Sequence, residues 1–343
     1  MPGSSARERV PTLSRRGFVQ AAGVAGLGVL ARCGRLPGQV QEPGKTPRIG
    51  FLAAGPATVV SPLAQAFLQG LSDFGYTEGQ NITVDYRYPD RPEQIRQFAE
   101  ELVLLPVRLI VAGTQPAAEA AQAATAAIPI ITATVLDPVS TGLVRSIAHP
   151  GGNLTGVAVA SAPLAGKRLQ LLKETVPGLA RPAVLWNSTL PDALLGWQET
   201  TSAAEVQGLQ LLSLAVRQAS DFDGAFNVAT RERADALIAL GDPLVFTQLS
   251  RIVRFTKEHQ LPGIYNWREA VVDGGLMAYG PSITANYRRA AFYVDRILKG
   301  TKPADLPVEL STTFDFVINL QTAQALGLTI PQHVLLQATE IIH

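Results

Sequence analysis

Polar side chains able to grip a small molecule stand at the ends of short apolar runs along this 343-residue chain. Ala54 and Gly55 end the run RIGFL-Ala53, Thr114 and Gln115 follow LIVAG, and Asp137 follows IITATVL. Further on, Asn187 closes AVLWN, Asp242 follows LIALG, Tyr265 and Asn266 close LPGIYN, and Tyr279 closes GLMAY. The asparagines and Asp242 have the donors and acceptors to orient an amine or a hydroxyl, and the tyrosines offer faces for an apolar ligand body. Each residue taken alone has a simpler structural use. Asp137 before Pro138 and Asp242 before Pro243 suit helix N-caps with proline at the first helical position, and Thr114 suits a cap for the helix after it. Taken together, six such ends describe a binding surface, and two of the following helices would offer free N–H groups to a carboxylate or other anion.

Chemistry beyond binding finds no support. His149, His259, His333 and His343 are scattered, and Cys33 is the sole cysteine. No HExxH, CxxC, GxSxG or GxxxxGK(S/T) pattern is present, so no catalytic residue, metal ligand or cofactor is expected. Basic and acidic residues balance at 29 and 28. Five of the arginines fall within residues 1–33, which leaves the remainder slightly acidic and without the basic surplus that a phosphate backbone demands.

Stepping from side chains to elements, the pattern from Arg48 alternates strand and helix. RIGFLAA, NITVDYRY, VRLIVAGT and IPIITATV are apolar runs too short for helices and suited to buried parallel strands. Between them, Leu63, Phe67, Leu71 and Phe74 recur at helical spacing and stop at Gly75, and PEQIRQFAEELVLL and QPAAEAAQAATAA continue the alternation. The order repeats after residue 183 with AVLWN, a helix ending on Gly208, LQLLSLAV, a helix over DFDGAFNVATRER, and ADALIALGD. Two such similar units predict an α/β chain of two Rossmann-like lobes with parallel sheets, joined by a hinge through HPGGNLTGVAVASAP. About 300 residues is also the size at which a chain splits into domains.

Ahead of the lobes, Arg15 and Arg16 precede an uncharged run from Ala21 to Ala31, too short to cross a bilayer. The string SRRGFVQ resembles a twin-arginine export signal, and LARC resembles a lipobox in which Cys33 would be lipidated, although Arg32 stands where a small residue is usual. Residues 1–33 are therefore read as a signal with a lipobox-like end, and the Pro- and Gly-rich stretch 34–47 as a linker. The expected location is the periplasm or cell envelope, with a lipid at Cys33 or a free cleaved product both open.

PRIGFL, GLSDFGYTEGQNITVDYR, LIVAGTQPAAEAA, IPIITATVLDPVSTGLVRSIAHPGGNLTGV and DFVINLQTAQALGLTIP, in this order, closely resemble the ABC transporter substrate-binding proteins of the tryptophan/tyrosine-binding type. The resemblance runs from about Arg48 to the C-terminus. It implies a type I periplasmic-binding-protein fold, with an N-terminal lobe of 48–156 plus about 275–305 and a C-terminal lobe of 157–274 plus about 306–335. It places Thr114, Gln115, Asp137, Asn187, Asp242 and Tyr279 at motif-matched positions between the lobes. It implies a monomer that binds a small amino-acid-like or aromatic molecule and hands it to an ABC permease and its ATPase. A sensor subunit presenting the same ligand to a membrane receptor remains open as an alternative, with an enzyme on this scaffold as a third reading.

Overall fold

The computed structural model describes residues 46–343 apart from Ala54. The expectations for Arg15, Arg16, Cys33, the linker and Ala54 lie outside the described residues. No helix among the described residues is long and apolar enough to cross a membrane.

Two sheets organise the chain. The first holds six strands in the order β11-β5-β4-β3-β1-β2, from β1 (Arg48–Leu52), β2 (Thr83–Arg87), β3 (Ile110–Ala112), β4 (Ile130–Leu136), β5 (Leu154–Val159) and β11 (Glu309–Leu310). The second holds seven in the order β13-β12-β10-β9-β8-β6-β7. Its members are β6 (Pro182–Asn187), β7 (Leu212–Val216), β8 (Ala236–Ala239), β9 (Gly263–Tyr265), β10 (Met277–Pro281), β12 (Phe314–Asn319) and β13 (Glu340–Ile342). In order of appearance, the first five strands of each lobe sit as 2-1-3-4-5, so the lobes are topological copies. All pairs are parallel except β10 with β12. Strands one and three are neighbours in both lobes, with Phe51 beside Val111 in the first and Leu185 beside Ala239 in the second.

The central strands, such as β1, β3, β6 and β8, are buried on both faces, as their unbroken apolar runs require, whereas edge strands such as β2 and β7 are partly exposed. The helix Ala57–Asp73 stops just before Gly75, whose φ of +83° only glycine adopts freely, and the helix Pro191–Gln207 stops at Gly208. Helix Ile283–Leu298 packs back on the first lobe, setting Tyr287, Ala290, Ala291 and Val294 against Phe67 and Leu71.

Two expectations need correction. The stretch expected to act as the hinge contains β5, a strand buried along its whole length. The first passage between lobes follows β5 within that same stretch, at Ala160 and Ser161, so the expected hinge narrows to its end. The lobe boundaries also move: β10 belongs to the second sheet and β11 to the first. The other two passages therefore fall at Ser282 and at 311–313. The three passages lie side by side, since Ser282 N donates to Thr313 O at 2.9 Å and Ser311 N donates to Ala158 O at 2.8 Å.

Candidate functional site at the strand ends of the two lobes

In open parallel sheets the carboxyl ends of the strands meet helix N-termini and leave a crevice where ligands bind. In the second lobe, Asp242 ends the loop after β8 and caps the helix Pro243–Thr247. Its Oδ1 accepts from Leu244 N at 2.7 Å and Val245 N at 3.2 Å. The capping expectation is thus met, but only half the carboxylate is used. Asp242 is 2% exposed, and its Oδ2 is buried without a hydrogen-bond partner. Burial pushes the Asp242 carboxyl up from the usual range, against the pull of those N–H donors and Asn187. Asn187, at the end of β6, donates to Asp242 Oδ1 at 3.4 Å and accepts from Thr189.

The equivalent place in the first lobe, after β3, holds Thr114. It occupies the N-cap of the helix Gln115–Ala124 yet makes no side-chain cap bond, and its Oγ1 is also buried without a partner among the described residues. Each of these loops begins with a glycine for a steric reason. A Cβ on Gly113 would fall 2.0 Å from the Tyr287 hydroxyl, and one on Gly241 would fall 2.3 Å from Asn266 Nδ2. The two third strands therefore present matching unsatisfied oxygens, Thr114 Oγ1 and Asp242 Oδ2.

Asp137 departs from its expected capping role. It is exposed, has φ +32°, and takes Ser140 N at 3.1 Å in a turn rather than opening a helix. The two lobes nevertheless meet electrostatically there. Asp192, in the first turn of the helix Pro191–Gln207, has its carboxyl pushed up first by burial and then by the charge of Asp137, while Arg168 pulls it down.

Asn266 lies at this floor but faces inward, where its Oδ1 accepts from Ser161 Oγ at 2.8 Å and from Arg168 Nη2. Tyr265 is not at the site. It is fully buried in the second lobe, packed with Phe255 and Val271 in one apolar cluster, with its hydroxyl 2.7 Å from Thr256 Oγ1. The Tyr279 ring stacks on Phe314 and meets Phe316 edge-on. Gln115 is tied to Glu119 at 2.9 Å, and Gly55 is half-buried beyond β1. Aromatic surface at the strand ends comes instead from Phe246 and Trp267, whose rings meet edge-on with centroids 5.1 Å apart.

Two functional candidates escaped the sequence reading. Asp192 follows a proline in an unremarkable helix start. Arg168 lies on the helix Ala165–Thr175, where a basic residue in a helix normally marks a solvated face. Here it is fully buried, donating Nε to Tyr279 O at 2.7 Å and Nη2 to Ser161 Oγ at 2.9 Å. Burial lowers its pKa to about 10, so it stays protonated at neutral pH. Its partners are neutral, and it ties the first passage between lobes to the end of β10, next to the second.

Two α/β lobes whose first five strands share one order, with three passages of the chain between them, define the periplasmic-binding-protein-like class. The chain belongs to the ABC transporter substrate binding protein family, whose model matches residues 59–342. It is 25% identical over 315 residues to the tyrosine-binding protein of Clostridioides difficile (strain R20291), covering 90% of both chains. It is also similar to a crystal structure of an ABC domain in complex with L-Trp from Streptococcus pneumoniae. That match has 27% identity and a TM-score of 0.77, covering 87% of this chain and 100% of the other. A leucine-binding protein from Thermotoga maritima shares the fold at 12% identity, with a TM-score of 0.54, covering 74% of this chain and 83% of that one.

Proposed function

We propose that this protein is the exported solute-binding component of an ABC importer. It takes an amino-acid-like or aromatic small molecule between its lobes and delivers it to a membrane permease driven by a separate ATPase. The observation that carries this reading is the pair of buried, unpartnered oxygens at equivalent positions, Thr114 Oγ1 and Asp242 Oδ2. A buried polar atom without a partner costs on the order of 1–3 kcal/mol. A ligand that hydrogen-bonds to both would recover that cost only when it bridges the lobes. Gly55, Thr114, Gln115, Asp137, Asn187, Asp242, Asn266 and Tyr279 form the binding set in this reading, with Asp192 added and Tyr265 removed. No covalent step is involved. The bound molecule favours the closed arrangement by contacts available only there, and the three passages at 160–161, 282 and 311–313 absorb the change. The relatives named for tyrosine and bound to L-Trp support an amino-acid-like ligand. Export through Arg15 and Arg16, with Cys33 as the lipidation point, belongs to the same reading, as does a monomeric state.

Native mass spectrometry of the gently purified protein tests it. A small molecule that co-purifies and is lost on denaturation is the expected result. No adduct, together with no thermal stabilisation by any amino acid or aromatic acid, would overturn the reading.

A further inference from the structure

Each passage between the lobes is gripped from both sides by hydrogen bonds. On the first-lobe side, Val159 ends β5 beside Leu136 of β4, and Ala158 O accepts from Ser311 N at 2.8 Å. Ser311 Oγ donates to Asn286 Oδ1 at 2.8 Å. Asn286 is buried on the helix Ile283–Leu298, which packs on the first lobe. This clamp fixes the end of β5 and the start of the third passage to one body.

On the second-lobe side, Ser161 is buried, its Oγ accepting from Arg168 Nη2 at 2.9 Å and donating to Asn266 Oδ1 at 2.8 Å. Arg168 Nε also donates to Tyr279 O at 2.7 Å, so the same side chain holds the first passage to β10. Pro281 at the end of β10 pairs with Phe314 at the start of β12.

Between these clamps little chain is left. Only Ala160 stands between Val159 and Ser161, and only Thr312 between Ser311 and Thr313. Neither the N–H nor the C=O of Ala160 or Thr312 has a backbone partner among the described residues. In the second passage Ser282 is itself the junction. Its N–H donates to Thr313 O at 2.9 Å, beside β12, while its carbonyl and Oγ cap the first-lobe helix, accepting from Asn286 N at 3.1 Å and Ala285 N at 3.4 Å.

We infer that closing of the lobes turns on Ala160, Ser282 and Thr312, with Arg168 and Asn286 as positioning residues that hold the chain rigid on either side. Bonded neighbours travel with their lobes, so the dihedral change collects at the one residue each passage leaves unheld, which is hinge motion rather than shear. The Ser311 hydroxyl marks the division. Its second acceptor, Thr313 O at 3.3 Å, lies beyond Thr312, so turning there alters this contact while the bond to Asn286 stays. The pivots serve the solute-binding reading, on which the inference rests, and name the residues that move in it.

The test compares Thr312→Pro with Thr312→Ala in the full chain, by calorimetry with L-tryptophan and L-tyrosine and by small-angle scattering with and without each. Thr312 is exposed and its N–H is unpaired among the described residues, so proline removes no hydrogen bond there while fixing φ at about −65°. Thr312→Pro is expected to lose about half or more of the ligand-dependent fall in radius and to bind about tenfold more weakly, as it does if the closed state becomes about a tenth as populated. Thr312→Ala is expected to match wild type. Ser311→Ala, which opens the first-lobe clamp without touching a ligand, is expected to weaken both amino acids several-fold by one common factor. Circular dichroism checks that the variants fold. A proline variant that closes and binds like the alanine variant overturns the pivots and leaves the solute-binding reading intact. A changed tryptophan-to-tyrosine ratio in Ser311→Ala overturns the clamp by placing that side chain at the ligand. Wild-type binding at an unchanged radius removes closure, and the pivots with it. If neither amino acid binds the wild-type chain, the amino-acid reading falls, and the pivots fall with the closure they were to serve.

Discussion

Asp242 and Arg168 are opposite cases of one rule: a buried charge persists only where its surroundings give it partners. Asp242 has N–H donors on one oxygen and none on the other, and burial raises its pKa. In the window between the unfolded carboxylate value of about 4 and the higher folded value, the native chain holds a proton that the unfolded chain has lost. The contribution of this group to stability therefore falls as pH rises through that window. Asp242→Asn keeps a capping oxygen and removes the charge. Its melting temperature relative to wild type is expected to climb as pH is raised from 4 to 7, and a pH series of thermal melts would show a flat difference if Asp242 were unperturbed. Arg168 is instead saturated with acceptors. Arg168→Ala leaves a cavity and orphans Ser161, Asn266 and the Tyr279 carbonyl, a loss of about 3 kcal/mol or more. For a chain of this size that corresponds to roughly 5 °C in melting temperature, readable by calorimetry. Arg168→Lys keeps the charge but loses the fork, and is expected to recover only part of it.

At the scale of elements, the loops after β3 and β8 do equivalent jobs in the two lobes with different chemistry. Both need glycine because a neighbouring side chain occupies the space of a Cβ. Gly241→Ala would push Asn266 away from its bonds with Ser161 and Arg168, and overpacking of this kind costs about 1–3 kcal/mol. Gly113→Ala, pressing on the Tyr287 hydroxyl, is expected to cost a similar amount in denaturant unfolding but to leave Arg168 in place. Much of this layer was legible from sequence. Strand runs such as AVLWN and LIALG, and the stops at Gly75 and Gly208, follow from apolar length and backbone freedom alone. What was not legible was β5. LTGVAV follows a glycine-rich stretch and lacks the helix that would have set it off as a strand, so only its burial between β4 and β11 identifies it.

For the whole molecule, the proposed site is a relation between two lobes, and the proposed function is their closing on a ligand. Small-angle scattering on the protein with and without its ligand is expected to give a smaller radius of gyration when bound; tight binding with an unchanged radius would remove closure from the account. Fluorescence adds a local reading. Trp186 and Trp197 stack in the second core, with centroids 5.6 Å apart, whereas Trp267 meets Phe246 at the strand ends. Ligand binding should change emission through Trp267, and Trp267→Phe should abolish most of that change while the core pair continues to emit.

The sequence by itself determined the alternation of elements, the doubling of the α/β unit and the positions of the strand ends, because apolar periodicity and glycine stops are local properties. Through the resemblance it also determined the family. Which of the polar residues at those ends are buried, bonded or left exposed depends on the tertiary structure. Tyr265 and Asn266 are neighbours on one apolar run, yet one is sealed in the core and the other is bonded to Arg168, whose helix lies 98 residues earlier in the chain. Asp192 is unremarkable in sequence, and only the fold buries its carboxyl and so raises its pKa. Local patterning fixes what each segment is. The long-range fields and contacts that make a site depend on which segments the topology brings together.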